Sequence, residues 1–495
     1  MKERVLVTGA TGYVGGRLIP RLLREGYRVR AVSRRREKLK RAGWSRHPSV
    51  ELREADALNR DSIKAAAQDC VHAYYLIHSM GMGSGDFADA DRKAAQNFVS
   101  AAESNELDRI IYLGGLGHHH DGLSKHRQSR REVGEILQEG SVPVTILRAA
   151  MIVGSGSGSF ELTRYCVEKL PIMLTHPYVR TPSQPIAVEN VLTYLTESLE
   201  QPETAGNNYD IGGPDVLTGV EVMQKYARIA GLFPRIILPL PFISLEWSSR
   251  RMIDFLPLPE DLTYPLVKGS RNPAVVRDER IREIIPQTLL TVDEAIRRAL
   301  EHPEPVSDTP NSIDGELSPP EWPRDYDPDW AGGTTYRDER TLRIDAEPEQ
   351  VWTAIVNLAS RNGLFFASWL RWLVRRFDDL FGLFDFPEVD YENPNLSKWG
   401  NLDFWTVQDF EEGKYIVLRG DFNLPGRPRL IYEIEPESDG TLCRQRAEFR
   451  PAGVLGRVYW SVISLFHYFS FSSMLEAIAR EASDDVTENP VGVDV

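Results

Sequence analysis

Residues 5–15 read Val-Leu-Val-Thr-Gly-Ala-Thr-Gly-Tyr-Val-Gly, and this run constrains the fold more than any other feature of the 495-residue chain. A short apolar strand leads into it and the amphipathic pattern Val14, Leu18, Leu22 leaves it, so the glycines sit where a strand turns into a helix. Gly9, Gly12 and Gly15 allow a tight turn, close backbone approach to a pyrophosphate and close packing of helix on strand, while the N–H groups of the helix start face the anion. Together with Thr11, Tyr13 and Val14 they form a candidate dinucleotide-binding turn. The spacing is Gly-x-x-Gly-x-x-Gly, not the Gly-x-Gly-x-x-Gly of the usual dehydrogenases. Pro20 falls inside the helix and is expected to kink it or remove one hydrogen bond.

The strand candidates Arg4–Thr8, Val29–Ser33, Val50–Ala55, Ala73–Ile77, Ile110–Leu113 and Val144–Arg148 alternate with helical patterns, and several are apolar throughout. That is the pattern of an α/β chain, a doubly wound parallel sheet with helices on both faces, here over residues 1–302. Less periodic, Pro/Gly-rich sequence from Ile152 to about Pro273 is expected to form the wall facing the cofactor. A helix-like stretch, Val292 to Leu300, closes this half.

The end of the second strand bears on the choice of cofactor. An NAD site places a carboxylate there for the ribose 2′-hydroxyl, but this strand ends Ser33-Arg34-Arg35-Arg36 with no acid before Glu37. Arginine offers a fork to phosphate, so Ser33, Arg34 and Arg35 form a candidate clamp for the 2′-phosphate of NADP(H), with NAD(H) the lesser alternative. A solvated basic helix start is the plain reading of the same residues. Asp56, followed by Ala57, ends the third strand where it can contact the adenine amino group.

These runs, with Ala73-Tyr-Tyr-Leu-Ile-His-Ser-Met, Arg109-Ile-Ile-Tyr-Leu-Gly-Gly-Leu-Gly and Ile146-Leu-Arg-Ala-Ala-Met-Ile-Val-Gly, resemble the atypical short-chain dehydrogenase/reductases over residues 1–302. The resemblance implies a Rossmann fold binding NAD(P)H, with the nicotinamide near the ends of strands four, five and six. It thereby points to Leu76 and His78, with Tyr75 and Ser79 beside them, to Leu113 and Gly114, and to Arg148. Catalytic members of that superfamily use a Ser on strand five and a Tyr-x-x-x-Lys pair on the next helix. Here Gly114 and Gly115 replace the Ser, and His126 and Arg130 stand at the Tyr and Lys places. The i,i+4 spacing puts them on one helix face, where His126 would donate a proton and Arg130 would bind ribose or phosphate. An exposed polar face on a chemically silent helix fits the same spacing. His118, His119, His120 and Asp121 are adjacent in one loop and do not converge as ligands would, so no metal is assigned.

Residues 303–333 are dense in Pro, Asp and Glu and read as an extended linker. Beyond them, strand, helix, antiparallel strands separated by turn signals, and a long helix predict an α+β domain over residues 334–482, followed by a frayed tail at 483–495. Glu349-Gln-Val-Trp-Thr-Ala-Ile, Leu402-Asp-Phe-Trp-Thr-Val and Phe449-Arg-Pro-Ala-Gly-Val-Leu-Gly-Arg-Val-Tyr-Trp resemble an uncharacterised domain often fused behind atypical short-chain reductases, itself similar to START-like (SRPBCC) helix-grip modules. That implies an apolar cavity lined by Trp405, Trp460, Phe466, Phe469 and Phe471; a packed lid or dimerising domain is the alternative. The segment Leu364 to Phe377, apolar with Arg371, Arg375 and Arg376, suits either a membrane surface or packing on the sheet.

Composition narrows the partners. A net charge of −14 argues against a general nucleic-acid footprint. Three dispersed cysteines and no apolar leader argue for a reducing cytoplasm. Polar residues interrupt Val458 to Leu475, which favours a buried helix over a membrane span. The resulting expectation is an NADPH-binding oxidoreductase acting on a bulky apolar substrate such as an enone, quinone, terpenoid or lipid. A non-catalytic NADP(H) sensor or hydrophobic-ligand-binding protein is the competing class. Oligomeric state is not legible in the sequence.

Overall fold

The computed structural model describes residues 2–78, 87–117, 125–300, 326–361, 401–402, 405–420 and 424–484. Ser79, the 118–121 run, the 364–377 segment, most of the Pro/Asp-rich run and the tail lie outside the described residues. The chain divides into two compact units that meet in sequence at Gly333 and Thr334.

In the first unit the strands are β1 (Arg4–Thr8), β2 (Arg28–Ser33), β3 (Val50–Glu54), β4 (His72–Tyr75), β5 (Arg109–Gly115), β6 (Val144–Ala149), β7 (Ile172–Thr175), β8 (Asn208–Ile211) and β9 (Ile236–Pro239), besides several two-residue pieces. Seven of them build one sheet in the order β3-β2-β1-β4-β5-β6-β8, every pair parallel. The order reverses between β1 and β4, which opens a crevice at the carboxyl ends of the strands. Alternation along β1 shows why both faces need cover: Val5 and Val7 join one apolar cluster and Leu6 joins the other. Helices α1 (Tyr13–Arg24) and α7 (Val188–Glu200) pack on the first face. Between them in sequence come α2 (Arg36–Lys40), α3 (Arg60–Ala67), α4 (Phe87–Ser104), α5 (Lys125–Gln138) and α6 (Gly158–Lys169), of which α3, α4 and α5 cover the second face. As expected, Pro20 removes one hydrogen bond: α1 runs as one helix through it, and the Gly16 carbonyl, four residues earlier, accepts from the Trp44 indole N–H at 3.1 Å instead.

The six expected strands are present, with β5 two residues longer and β4 two shorter at their ends. The wall from Ile152 to Pro273 departs from the aperiodic expectation: it is largely helical, with α6 and α7 followed by α8 (Gly219–Ile229), α9 (Leu245–Phe255) and α10 (Glu260–Gly269). Short helices broken by Pro and Gly dilute the 3.6-residue period below the level at which it can be read. The edge strand β8 was not foreseen either. It is four residues long and gains definition from Asp210, which pairs with Arg148 of β6 at 2.7 Å.

After α11 (Arg280–Ile284) and α12 (Val292–Leu300), residues 326–333 pack back onto the first unit, although composition assigned them to a linker. The ring of Tyr326 lies against Gly16, where any Cβ would collide with it, and edge-on to Trp44 at 6.3 Å. Asp327 forms a two-pronged ion pair with Arg17, at 2.6 and 2.9 Å, with both side chains withdrawn from water. The Trp330 carbonyl accepts from the Tyr165 hydroxyl at 2.9 Å, and the Gly332 N–H donates to the buried Glu161 at 3.2 Å. Pro and Asp content is blind to this because what holds the strap is one charge meeting one buried arginine.

The second unit carries β10 (Tyr336–Ile344), α13 (Pro348–Arg361), β11 (Asn401–Leu402), β12 (Trp405–Glu411), β13 (Tyr415–Gly420), β14 (Gly426–Glu437), β15 (Gly440–Pro451) and α14 (Gly453–Asp484). The strands form an antiparallel sheet in the order β10-β15-β14-β13-β12-β11, the expected α+β layout. Val351 and Ile355 of α13 and Leu475 and Ile478 of α14 share a core with Val407, Ile416, Leu418 and Tyr432 of the sheet. Trp405 and Phe471 belong to that packed core, while Trp460 stacks between Tyr336 and Phe449, each at 5.5 Å. The side chains of Phe466 and Phe469 lie outside the described residues. Among the described residues no helix is long and apolar enough to cross a membrane.

Removing one partner of a buried ion pair strands the other charge, so Asp327→Ala should lower the stability of the first unit by about 3 kcal/mol in urea unfolding. Asp329→Ala, two residues away and exposed, should change it by less than about 0.5 kcal/mol.

Candidate functional site

The glycine turn is built by exclusion. Gly9 has φ +69°, and a Cβ there would stand 2.5 Å from the Leu76 carbonyl oxygen, so β1 and β4 close on the turn only because position 9 is bare. A Cβ on Gly15 would collide with the Gly9 carbonyl, which fixes how near α1 comes to the turn. Gly12 caps α1 with no side-chain hydrogen bond, and its own N–H donates to the Gly9 carbonyl at 2.9 Å. The N-terminus of α1, where the first helical N–H groups lie, therefore faces the turn, as an anion-binding site requires. Thr8 ties the floor together: its Oγ1 donates to the Tyr74 carbonyl at 2.9 Å and accepts from the Leu76 N–H at 3.3 Å. A pyrophosphate suits this cradle because the bare positions 9 and 15 let backbone and ligand approach closely at a helix N-terminus.

Next to the turn, Thr11 and Ser33 exchange a hydroxyl hydrogen bond of 3.2 Å, which joins the phosphate turn to the end of β2. Arg34 and Arg35 follow immediately and are exposed. The Ser33 hydroxyl accepts from the Arg35 N–H at 3.4 Å. Asp56 is engaged in its own turn, with Oδ1 accepting from the Leu58 N–H at 3.0 Å, and the Ala57 carbonyl accepts from Asn97 at 2.8 Å.

At the other end of the crevice Arg130 is the organising residue. Its guanidinium donates to the Ile77 carbonyl at 3.0 Å and to the Leu113 carbonyl, and lies over the Tyr112 ring at 4.8 Å, so one side chain clamps the ends of β4 and β5. His126, one helical turn earlier, stacks on His78 with ring centroids 4.9 Å apart. Burial first, and then the Arg130 charge, holds His126 down to about 3; burial and Arg130 also push His78 well below the usual imidazole range. Both rings are neutral at pH 7, so the expectation of His126 as a proton donor near neutral pH does not fit this environment. Among the described residues, Nδ1 of His126 and both nitrogens of His78 are buried without a hydrogen-bond partner. Gly114, Arg130 and Arg148 border one cavity of about 120 Å³, and Arg148 is already paired with Asp210.

The site also contains residues that sequence reasoning passed over. Arg17, on the first turns of α1, donates to the Tyr13 carbonyl and to the Ser155 carbonyl, each at 3.1 Å, and covers the Tyr13 ring at 4.1 Å. Asp327 therefore acts on the phosphate turn through Arg17 and Tyr13. Arg17 carried a weak signal, a charge beside Leu18 in the first half of a helix whose other charges, Arg21 and Arg24, lie in its last turn; Asp327 carried none. Among the described residues no group of three metal-ligating side chains occurs.

Comparison with known proteins agrees with this geometry. Residues 9–165 match a family described as NAD(P)H-binding, and residues 330–474 match a family of proteins of unknown function (DUF2867). The first unit is an NAD(P)H-binding domain with a Rossmann-like parallel sheet. The chain is 26% identical over 246 residues to divinyl chlorophyllide a 8-vinyl-reductase of Oryza sativa subsp. indica, covering 47% of this chain and 60% of that protein. It is likewise 26% identical over 265 residues to the NADH dehydrogenase [ubiquinone] 1 alpha subcomplex subunit 9 of Arabidopsis thaliana, covering 51% of this chain and 65% of that protein. The chain thus spans less than two thirds of the length of these curated relatives. Among solved structures, a Citrobacter sp. triphenylmethane reductase complexed with NADP(H) superposes with a TM-score of 0.49 at 18% identity, covering 60% of this chain and 99% of that one.

The histidine pair makes stability depend on pH. Their folded pKa values lie below the unfolded value near 6.5, so the unfolded chain binds more protons and stability falls as pH drops below about 6.5. For His126 alone the loss at pH 5 is about 2 kcal/mol. Urea midpoints at pH 7.5 and 5 should differ less in His126→Gln than in the wild type; an unchanged difference would show that His126 titrates normally.

Proposed function

We propose that this protein is an NADPH-dependent oxidoreductase that reduces a bulky apolar acceptor such as an enone, a quinone, a terpenoid or a lipid. The observation that carries the reading is the glycine cradle of Gly9, Gly12 and Gly15 at the bare start of α1, with Arg34 exposed at the end of the neighbouring strand. A 2′-phosphate beside Arg34 and Ser33 would meet a guanidinium fork and a hydroxyl; β2 itself ends without an acid, and the nearby Glu54 carboxylate of β3 is engaged by the Arg36 N–H at 3.2 Å. The vinyl-reductase relative supports reduction as the reaction class.

The cofactor, when bound, supplies a hydride. What this chain's residues can add is limited by what replaces Ser, Tyr and Lys. Gly114 leaves room at the end of β5, and Arg130 sets a fixed positive charge at the ends of β4 and β5, where it favours an enolate or hydroquinone anion. With His78 and His126 neutral, water supplies the final proton. Conjugated acceptors suit such a site better than simple carbonyls, because their reduced anion is delocalised and needs less protein acid. The neutral, unpartnered imidazole nitrogens are available to hydrogen-bond a carbonyl oxygen or the carboxamide of the cofactor.

The same pinning of Arg130 by two carbonyls favours a second reading, an NADP(H)-binding sensor without turnover. NADPH oxidation by the full-length protein against a panel of enones and quinones separates the two. Turnover with at least one acceptor, lowered by about tenfold or more in Arg130→Ala and only a few-fold in His126→Gln, is the expected result. Tight NADPH binding with no acceptor reduced would mark a sensor.

Cofactor preference is a separate expectation. NADPH should bind about tenfold or more tightly than NADH, and Arg34→Asp should erase the difference in titration calorimetry. Equal affinities in the wild type would remove the 2′-phosphate clamp.

A further inference from the structure

We propose that the face formed by β7, β9 and the exposed side of α9 docks on an anionic lipid bilayer. β7 and β9 are a parallel pair in which Ile172 stands beside Ile236 and Leu174 beside Leu238. Partners in register on such a pair point to the same side, and these four are 44% to 58% exposed, whereas Met173 and Thr175 are buried. One side of the pair is therefore core, where Met173 packs with Tyr165 and Leu256, and the other is an aliphatic face open to water. Phe233 and Phe242, at either end of β9 in the chain, are 77% and 80% exposed, and Trp247 and Phe255 of α9 are 43% and 58% exposed. The apolar character continues inward: a cavity of about 350 Å³ lies here, lined among others by Leu170, Met173, Ile237, Trp247, Met252 and Phe255. Single exposed apolar residues need no explanation, but Ile172, Leu174, Trp247 and Phe255 border this one cavity and form a continuous apolar face, which marks a partner.

Charge selects the partner. The chain carries −14 overall. Outside the core, residues 169–180 and 233–256 carry Lys169, Arg180, Arg250 and Arg251 against Glu246 and Asp254, which is 4 − 2 = +2, with Arg251 paired to Asp254 at 3.7 Å; Arg235 is buried and donates to the Val167 and Phe233 carbonyls. Arg250 and Arg251 are exposed on α9, and the Arg251 guanidinium lies 5.8 Å from the Trp247 ring centre. Arg271 holds the same relation to the exposed Tyr178, also at 5.8 Å. Aromatic rings with arginines beside them suit the headgroup level of a bilayer, the rings entering the acyl boundary and the guanidinium groups meeting lipid phosphate. Two copies meeting through this face would instead oppose two positive patches. The proposal stands apart from the redox reading, since docking needs no turnover at the cofactor site.

The test is co-sedimentation of the full-length protein with vesicles of phosphatidylcholine alone and with roughly one third phosphatidylglycerol. The protein should pellet with the anionic vesicles at low ionic strength and be released by salt. The double variant Phe233→Ser/Phe242→Ser and the double variant Arg250→Glu/Arg251→Glu should each reduce the bound fraction by about fivefold. NADPH affinity, measured in parallel, should stay at the wild-type value and confirms that the variants are folded. Absence of binding to either vesicle, or equal binding by the phenylalanine variant, would overturn the proposal. So would a change from dimer to monomer on gel filtration of that variant without lipid, which would make the face a contact between copies.

Discussion

The first unit depends on how closely backbone can approach backbone around residues 9–15. The Leu76 carbonyl and the Gly9 carbonyl occupy space that any side chain at positions 9 and 15 would need, so strand, turn and helix meet only through hydrogen-sized residues. That contact sets how near α1 comes to the sheet and places its N-terminus at the crevice. The same glycines that permit the packing thereby create the anion site. The ends of β1, β2 and β4 reach the crevice from here, which is why the proposed cofactor contacts fall on three separate parts of the sequence.

Buried and half-buried arginines perform most of the remaining joining. Arg130 spans the ends of β4 and β5, Arg148 holds the edge strand through Asp210, and Arg17 gathers Tyr13, Ser155 and Asp327. Arg164 adds a fourth case, buried beside Glu161 at 3.6 Å and donating to the Ser155 hydroxyl at 2.9 Å. A guanidinium has five donors in a rigid plane, so it can satisfy several carbonyls at once where strands end and backbone groups lack ladder partners. These joints also bear on the proposed chemistry: burial, reinforced by the Arg130 cation, keeps the two imidazoles neutral.

The polar crevice and the apolar face of β7 and β9 belong to the same unit, yet they are built on different rules. The crevice is made by denying side chains to a few backbone positions. The apolar face comes from alternation on a two-stranded pair, in which every second residue must find a partner and only one side of the pair is covered by core.

Much of this was legible in the sequence. The glycine turn, the six central strands, the α+β second unit and the positions of His126 and Arg130 on one face of α5 follow from local period and spacing, because they depend on residues within a few positions of each other. The four-residue strand β8, the helices of the cofactor-facing wall and the strap at Tyr326 to Gly333 were not legible. Each is specified by a partner far away in sequence: Asp210 by Arg148, Asp327 by an arginine 310 residues earlier. The protonation of His126 belongs to the same class. Spacing placed it beside Arg130, but only burial in the tertiary structure, with His78 stacked against it, decided that it is neutral. Local backbone chemistry can be read from neighbours along the chain, whereas desolvation and charge pairing exist only after the chain has folded.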